Sequence, residues 1–112
     1  MKKAVVLEQG GIILVRFPFS NQIDYKIRPA LVVSNNEHNK RFDAWVCPIT
    51  TKQAIQCIPI QKFLAEGKLD RESYARTNVI ASIEQEAMLK TIGKLKQEKT
   101  KEIIGQIMTN LR

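Results

Sequence analysis

Apolar residues fall in short runs through most of the chain and take up helical spacing only after Gln97, so the pattern predicts many strands followed by one helix. Ile12 to Phe17 alternates Ile12 and Leu14 against Ile13, Val15 and Phe17, a strand that Pro18 ends. Leu31, Val32 and Val33 are uniformly apolar, which predicts a strand buried on both faces. Ala44, Trp45, Val46 and Ile49 make a second apolar run. The two central strands carry polar residues at their margins, Arg28 before Pro29 and Thr50 after Ile49. Pro29 restricts Arg28 to extended backbone, which fixes the base of its side chain at the rim of the core.

The remaining elements follow in order. Residues 2–10 read as an edge strand or arm closed by Gly10-Gly11, and Phe19 to Ile27 as a polar loop, a candidate flap over a site beside Arg28. Asn35 to Arg41 reads as a turn-rich connection and Phe42 to Pro48 as a strand. Ile55 to Ile60 reads as a further strand, Phe63 to Leu69 as an irregular excursion or one helical turn ended by Gly67, and Ser73 to Ile83 as strand-like. Glu84 to Leu89 suggests a short helix and Thr91 to Leu95 a last strand. From Gln97 to Leu111, Ile103, Ile104, Ile107, Met108 and Leu111 form one helical stripe expected to pack on the sheet. The sum is α+β: five to seven short strands in a compact β-barrel or bent sheet with a C-terminal helix, read as one domain over residues 1–112.

Charge sharpens this picture. With 18 Lys and Arg against 11 Asp and Glu, the chain carries a net charge of +7, which favours a polyanionic partner. Its longest apolar runs are far shorter than a membrane span and its N-terminal run is too short for a signal-peptide core, so a cytoplasmic location and no membrane partner are expected. Cys47 and Cys57 sit in predicted strands without metal-ligand spacing and read as reduced thiols, and His38, the single histidine, reads as a solvated loop residue. No phosphate-binding glycine loop, zinc signature or serine–histidine triad is present, and no cofactor or metal is expected. An arginine beside a hydroxyl suits another task, holding a phosphodiester and stabilising the charge that builds on its oxygens. In RNA the substrate's own 2′-hydroxyl can attack, so metal-free cleavage is chemically open to this chain.

Several stretches together resemble the MazF/PemK group of type II toxin endoribonucleases: Gly11-Ile12-Ile13-Leu14-Val15 with Phe17-Pro18-Phe19-Ser20, Arg28 to Ser34, Cys47-Pro48-Ile49-Thr50-Thr51, Ser73-Tyr74-Ala75-Arg76, and Ile92-Gly93-Lys94-Leu95. They occur in the family's order across nearly the whole chain. The resemblance implies a small SH3-like barrel of the CcdB/PemK/MazF type, a homodimer, and sequence-specific, metal-independent cleavage of single-stranded mRNA to a cyclic phosphate and a 5′-hydroxyl. It further implies neutralisation by a small antitoxin protein whose tail occupies the RNA groove. The family's catalytic pair falls on Arg28 and Thr50. Because a guanidinium is protonated at any ordinary pH it is a poor base, so Arg28 is assigned to charge stabilisation and to delivering a proton to the leaving oxygen, and Thr50 to donating a hydrogen bond to the phosphate. Ser20, Asn21, Thr51, Arg76 and Asn78 are the expected RNA contacts.

The chain also departs from the family pattern. It lacks the acidic residue after the first glycine, has Asn78 where many members carry an aspartate, and has Ala81 where an arginine follows. Two alternatives therefore stand beside the nuclease reading: a catalytically weakened homologue that binds antitoxin or RNA, and a CcdB-like DNA gyrase poison.

Overall fold

The computed structural model describes residues 7–18, 25–41 and 43–112. Eight strands form one antiparallel, strongly bent sheet: β1 (Gly11–Pro18), β2 (Tyr25–Val32), β3 (Ala44–Thr50), β4 (Cys57–Pro59), β5 (Leu64–Gly67), β6 (Tyr74–Arg76), β7 (Ala81–Ile83) and β8 (Met88–Leu95). The order across the sheet is β4-β6-β3-β2-β1-β8-β5, with β7 alongside β3. Helices α1 (Asn36–Arg41) and α2 (Gln97–Leu111) complete the α+β architecture expected of the SH3-like barrel.

Two cores lie on opposite faces of β1, β2 and β3, which explains the unbroken apolar run in β2. Leu31 joins Ile12, Cys47, Ile49, Leu95, Ile103 and Ile107 under α2. Val32 and Ala30 join Ile13, Val15, Val46, Ile83 and Met88 on the other face. Each strand residue thus finds apolar cover whichever way it points, as the run over Leu31–Val33 predicts. Helix α2 occupies the predicted span, but its stripe is wider than the sheet can cover. Ile103 and Ile107 are buried, whereas Met108 and Leu111 near its end are exposed.

Several local expectations are corrected. The connection at Asn35–Arg41 contains α1, because the Asn35 side chain caps it by accepting from the His38 N–H at 2.8 Å. Trp45 is half-exposed, not core, and His38 stacks against its ring at a centroid distance of 4.5 Å instead of standing free in solvent. Residues 84–89 form only a short 3-10 turn at Gln85–Ala87 before β8, whose eight residues run longer than the predicted strand. The strand over 55–60 contracts to β4, and the excursion over 63–69 contains β5. That strand ends at Gly67, with φ +74°, where a Cβ would lie 2.2 Å from the Ile92 carbonyl oxygen. The expected N-terminal arm falls largely outside the described residues, as does most of the Phe19–Ile27 loop.

Candidate RNA-cleaving site

The site grows out of one change in β3. Its first half, Ala44 to Val46, lies between β2 and β7; its last residues, Ile49 and Thr50, pair with Ala75 and Tyr74 of β6. On the other edge, Val32 faces Val46, Leu31 faces Cys47, and Ala30 faces Pro48. Regular pairing stops there, where two prolines, Pro29 and Pro48, have no N–H to give the ladder. The same count carried two residues further sets Arg28 of β2 opposite Thr50 of β3. Both share the face of Ala30, Val32 and Val46, because side chains alternate along a strand. The neighbour of Arg28 in β1 is Val15, fully buried in the second core. Arg28 itself is exposed and Thr50 is half-buried. The apolar face of the sheet therefore ends in a cation and a hydroxyl.

Continuing across the sheet, Thr50 faces Tyr74, and Tyr74 faces Pro59 of β4; Cys57 of β4 faces Arg76. Ala75 between them is buried on the helix side, so Tyr74 and Arg76 point to the same side as Thr50. One face of β2, β3, β6 and β4 thus carries Arg28, Thr50, Tyr74, Arg76 and Cys57 in a strip. Thr50 Oγ1 accepts from the Lys52 N–H at 3.1 Å, which tightens the start of the β3–β4 loop. With that lone pair engaged, the hydroxyl hydrogen is directed elsewhere and can be donated to an anion. Thr51 and Lys52 are exposed at the same corner.

Behind the strip, the turn after β6 is pinned. The Thr77 N–H and hydroxyl both donate to the Gln56 carbonyl, at 3.0 and 2.9 Å, and Thr77 is buried. Asn110 Nδ2 of α2 donates to the Thr77 carbonyl at 3.1 Å. Asn78, next in the chain, is exposed and lines a recess with Arg76, Cys57 and residues 54–56. Of the two thiols, Cys47 is buried, and burial pushes it up to about 12, whereas Cys57 is half-buried at the recess.

The structure thus brings Arg28, Thr50 and Arg76 to one face of the sheet, with Thr51 exposed in the loop after β3 and Asn78 exposed in the turn after β6. Ser20 and Asn21 lie outside the described residues. Sequence reasoning overlooked Tyr74 and Cys57 as members of the strip, although their place is readable once β3, β4 and β6 are known to be neighbours. It also overlooked Thr77, whose buried hydroxyl holds the turn that presents Asn78. Among the described residues no three His, Cys, Asp or Glu side chains gather to hold a metal ion, and no helix is long and apolar enough to cross a membrane.

The bent antiparallel barrel, with an exposed arginine and a half-buried threonine at the open end of its apolar face, is of the small toxin-barrel class. Residues 8–111 match the family model of the PemK-like, MazF-like toxins of type II toxin–antitoxin systems, and the chain belongs to that family. Solved structures with the same fold include the Mycobacterium tuberculosis toxin MazF-mt6 (TM-score 0.70, 18% identity, covering 89% of this chain and 93% of that one). An endoribonuclease from a mycobacterial species, solved with its cognate antitoxin, superposes with a TM-score of 0.69 at 20% identity, covering 95% of each chain. MazF from Deinococcus radiodurans gives 0.67 at 17% identity, covering 95% of this chain and 96% of that one. No curated protein matches the chain in sequence.

Proposed function

We propose that this toxin is a metal-independent, sequence-specific endoribonuclease that cuts single-stranded mRNA by attack of the substrate's own 2′-hydroxyl. The observation that carries the reading is the common face of Arg28 and Thr50, opposite one another by strand count at the open end of the second core. A phosphodiester laid across β2 and β3 meets the Arg28 guanidinium from one strand and the Thr50 hydroxyl from the next. As the 2′-oxygen forms its bond to phosphorus, negative charge builds on the non-bridging oxygens, where a cation and a fixed donor lower the barrier. The 2′ proton passes to water. The bond from phosphorus to the 5′-oxygen then breaks, that oxygen takes a proton from Arg28, and the guanidinium regains one from solvent. A cyclic phosphate and a 5′-hydroxyl result.

The +7 charge supports both RNA as substrate and, as neutralising partner, a small antitoxin with an acidic tail that folds into the same groove. The mycobacterial endoribonuclease was solved with its cognate antitoxin, which supports the same pairing here. We further assign a homodimer acting in the cytoplasm. A second reading, a homologue that binds RNA or antitoxin with little cleavage, is favoured by Asn78, an exposed amide that cannot serve as a base.

The test is the chemistry of the ends. RNA incubated with the purified protein in excess chelator should yield fragments whose 5′ ends accept phosphate from a kinase without prior phosphatase treatment. Fragments bearing 5′-phosphates would refute the 2′-hydroxyl mechanism, and RNA that is bound but left intact would favour the second reading.

A further inference from the structure

Thr50 has a second polar neighbour besides Arg28. Its direct partner in β6 is Tyr74, which in turn faces Pro59 of β4. The count from Ala30 and Pro48 sets Arg28 on the opposite flank of Thr50. A guanidinium, an aliphatic hydroxyl and a phenol therefore form one row across β2, β3 and β6. Neighbouring strands lie about 4.8 Å apart, so the backbones of Arg28 and Tyr74 are roughly 10 Å from one another with Thr50 midway. A phosphate held over Thr50 is flanked by the guanidinium on one side and the phenol on the other.

The backbone at Tyr74 is firmly held. Ala75 beside it is fully buried, and the Ser73 carbonyl accepts from the Ile60 N–H at 3.0 Å, so β6 is fixed on both sides of the residue. The side chain is half-buried. Among the described residues its hydroxyl makes no hydrogen bond and is not sealed from solvent. Packing between Thr50 and Pro59 asks only for a ring, which phenylalanine would supply equally well. The fold gives the hydroxyl itself no partner, and so leaves it to whatever lies on the face.

We infer that Tyr74 is a third catalytic residue, donating a hydrogen bond to the non-bridging phosphate oxygen that Arg28 does not cover. The inference rests on the endoribonuclease reading above. As the 2′-oxygen loses its proton and bonds to phosphorus, both non-bridging oxygens take up negative charge. They diverge from the phosphorus, so a cation on one flank cannot serve both. Arg28 meets the oxygen turned toward β2, Tyr74 meets the one turned toward β6, and Thr50 donates from between them. Tyr74 keeps its proton throughout; its hydrogen bond strengthens as the charge it faces grows. A fixed donor of this kind acts on the transition state more than on the bound substrate, so its effect falls on kcat.

The test compares wild type with Tyr74→Phe on one single-stranded RNA containing a mapped cut, in chelator. The variant should lose about 10²-fold in kcat while KM changes by less than about twofold. Its thermal midpoint should stay in place, because the ring remains between Thr50 and Pro59. The same RNA is then made with a phosphorothioate at the cut and separated into its two diastereomers, which replace one non-bridging oxygen at a time with sulfur, a weak acceptor. Wild type should be slowed by sulfur at either position. Tyr74→Phe should lose the sulfur effect for one diastereomer and keep it for the other. A variant as fast as wild type, one with raised KM and unchanged kcat, or a slow one that keeps both sulfur effects would overturn the assignment, while Arg28-dependent cleavage left the nuclease reading standing. RNA left intact by the wild type would remove the nuclease reading, and the role of Tyr74 with it.

Discussion

The two ends of β3 lie on the same face of the same sheet and have opposite fates. At Val46 the face is closed by Val32, Ile83 and Met88, and water is excluded. At Thr50, four residues on, the partners are Arg28 by count and Tyr74 by direct pairing, and the face is open. What separates them is a change of neighbour, from β7 to β6, together with two prolines that stop regular pairing with β2 at Ala30 and Pro48. The buried half supplies stability and a fixed backbone. The open half inherits that rigidity while leaving a cation and a hydroxyl free to face a phosphate.

This contrast can be broken from either end. The largest effect is expected from Arg28→Ala, which should lower kcat/KM for RNA cleavage about 10³-fold, the upper range for loss of a group that stabilises transition-state charge. Because Arg28 is exposed, the thermal midpoint should hardly move. Met88→Ala should do the reverse. Removing that buried side chain should cost about 2–5 kcal/mol of stability, read as an earlier denaturant midpoint, with kcat unchanged in the fraction that remains folded. Thr50→Val keeps the β-branched shape and deletes the donor, and should cost about 10²-fold in kcat with a stability change within about 0.5 kcal/mol.

The smallest effect concerns the buried thiol of Cys47. Burial pushes Cys47 up to about 12, so the folded state holds a proton that the unfolded chain releases above its ordinary value of about 8.5. The stability tied to that proton is complete below about pH 8.5 and is lost as pH rises toward 12. Cys47→Ala should therefore flatten part of the alkaline fall in denaturation midpoint.

How much of this was legible in the sequence follows from the same contrast. The buried half of the account was open to reading: Leu31 to Val33 announce burial on both faces, and the spacing of Ile103 and Ile107 announces the helix over one of them. The resemblance placed Arg28 and Thr50 at a common site before their strands were known to be neighbours. What pattern could not supply was partnership. Trp45 reads as core by composition but packs its ring against His38 and stays half-exposed, because it lies outside both cores. Tyr74 and Cys57 look like ordinary strand residues until β6 is found between β3 and β4. Met108 and Leu111 continue a helical stripe past the point where the sheet offers anything to cover them. Asn35 was a missed signal of a plainer kind, an N-cap residue preceding a short helix with Glu37 in its first turn.

The central claim is that Arg28 and Thr50 act on one phosphate, and a double-mutant cycle on RNA cleavage in chelator tests it most directly. Wild type, Arg28→Ala, Thr50→Val and the double variant would be compared by kcat/KM on one single-stranded RNA containing a mapped cut. Residues that act as a unit are strongly non-additive, so the double variant should be little slower than Arg28→Ala alone. Losses that simply multiply, or a Thr50→Val variant as fast as wild type, would contradict a shared phosphate for the two side chains that strand count sets on one face.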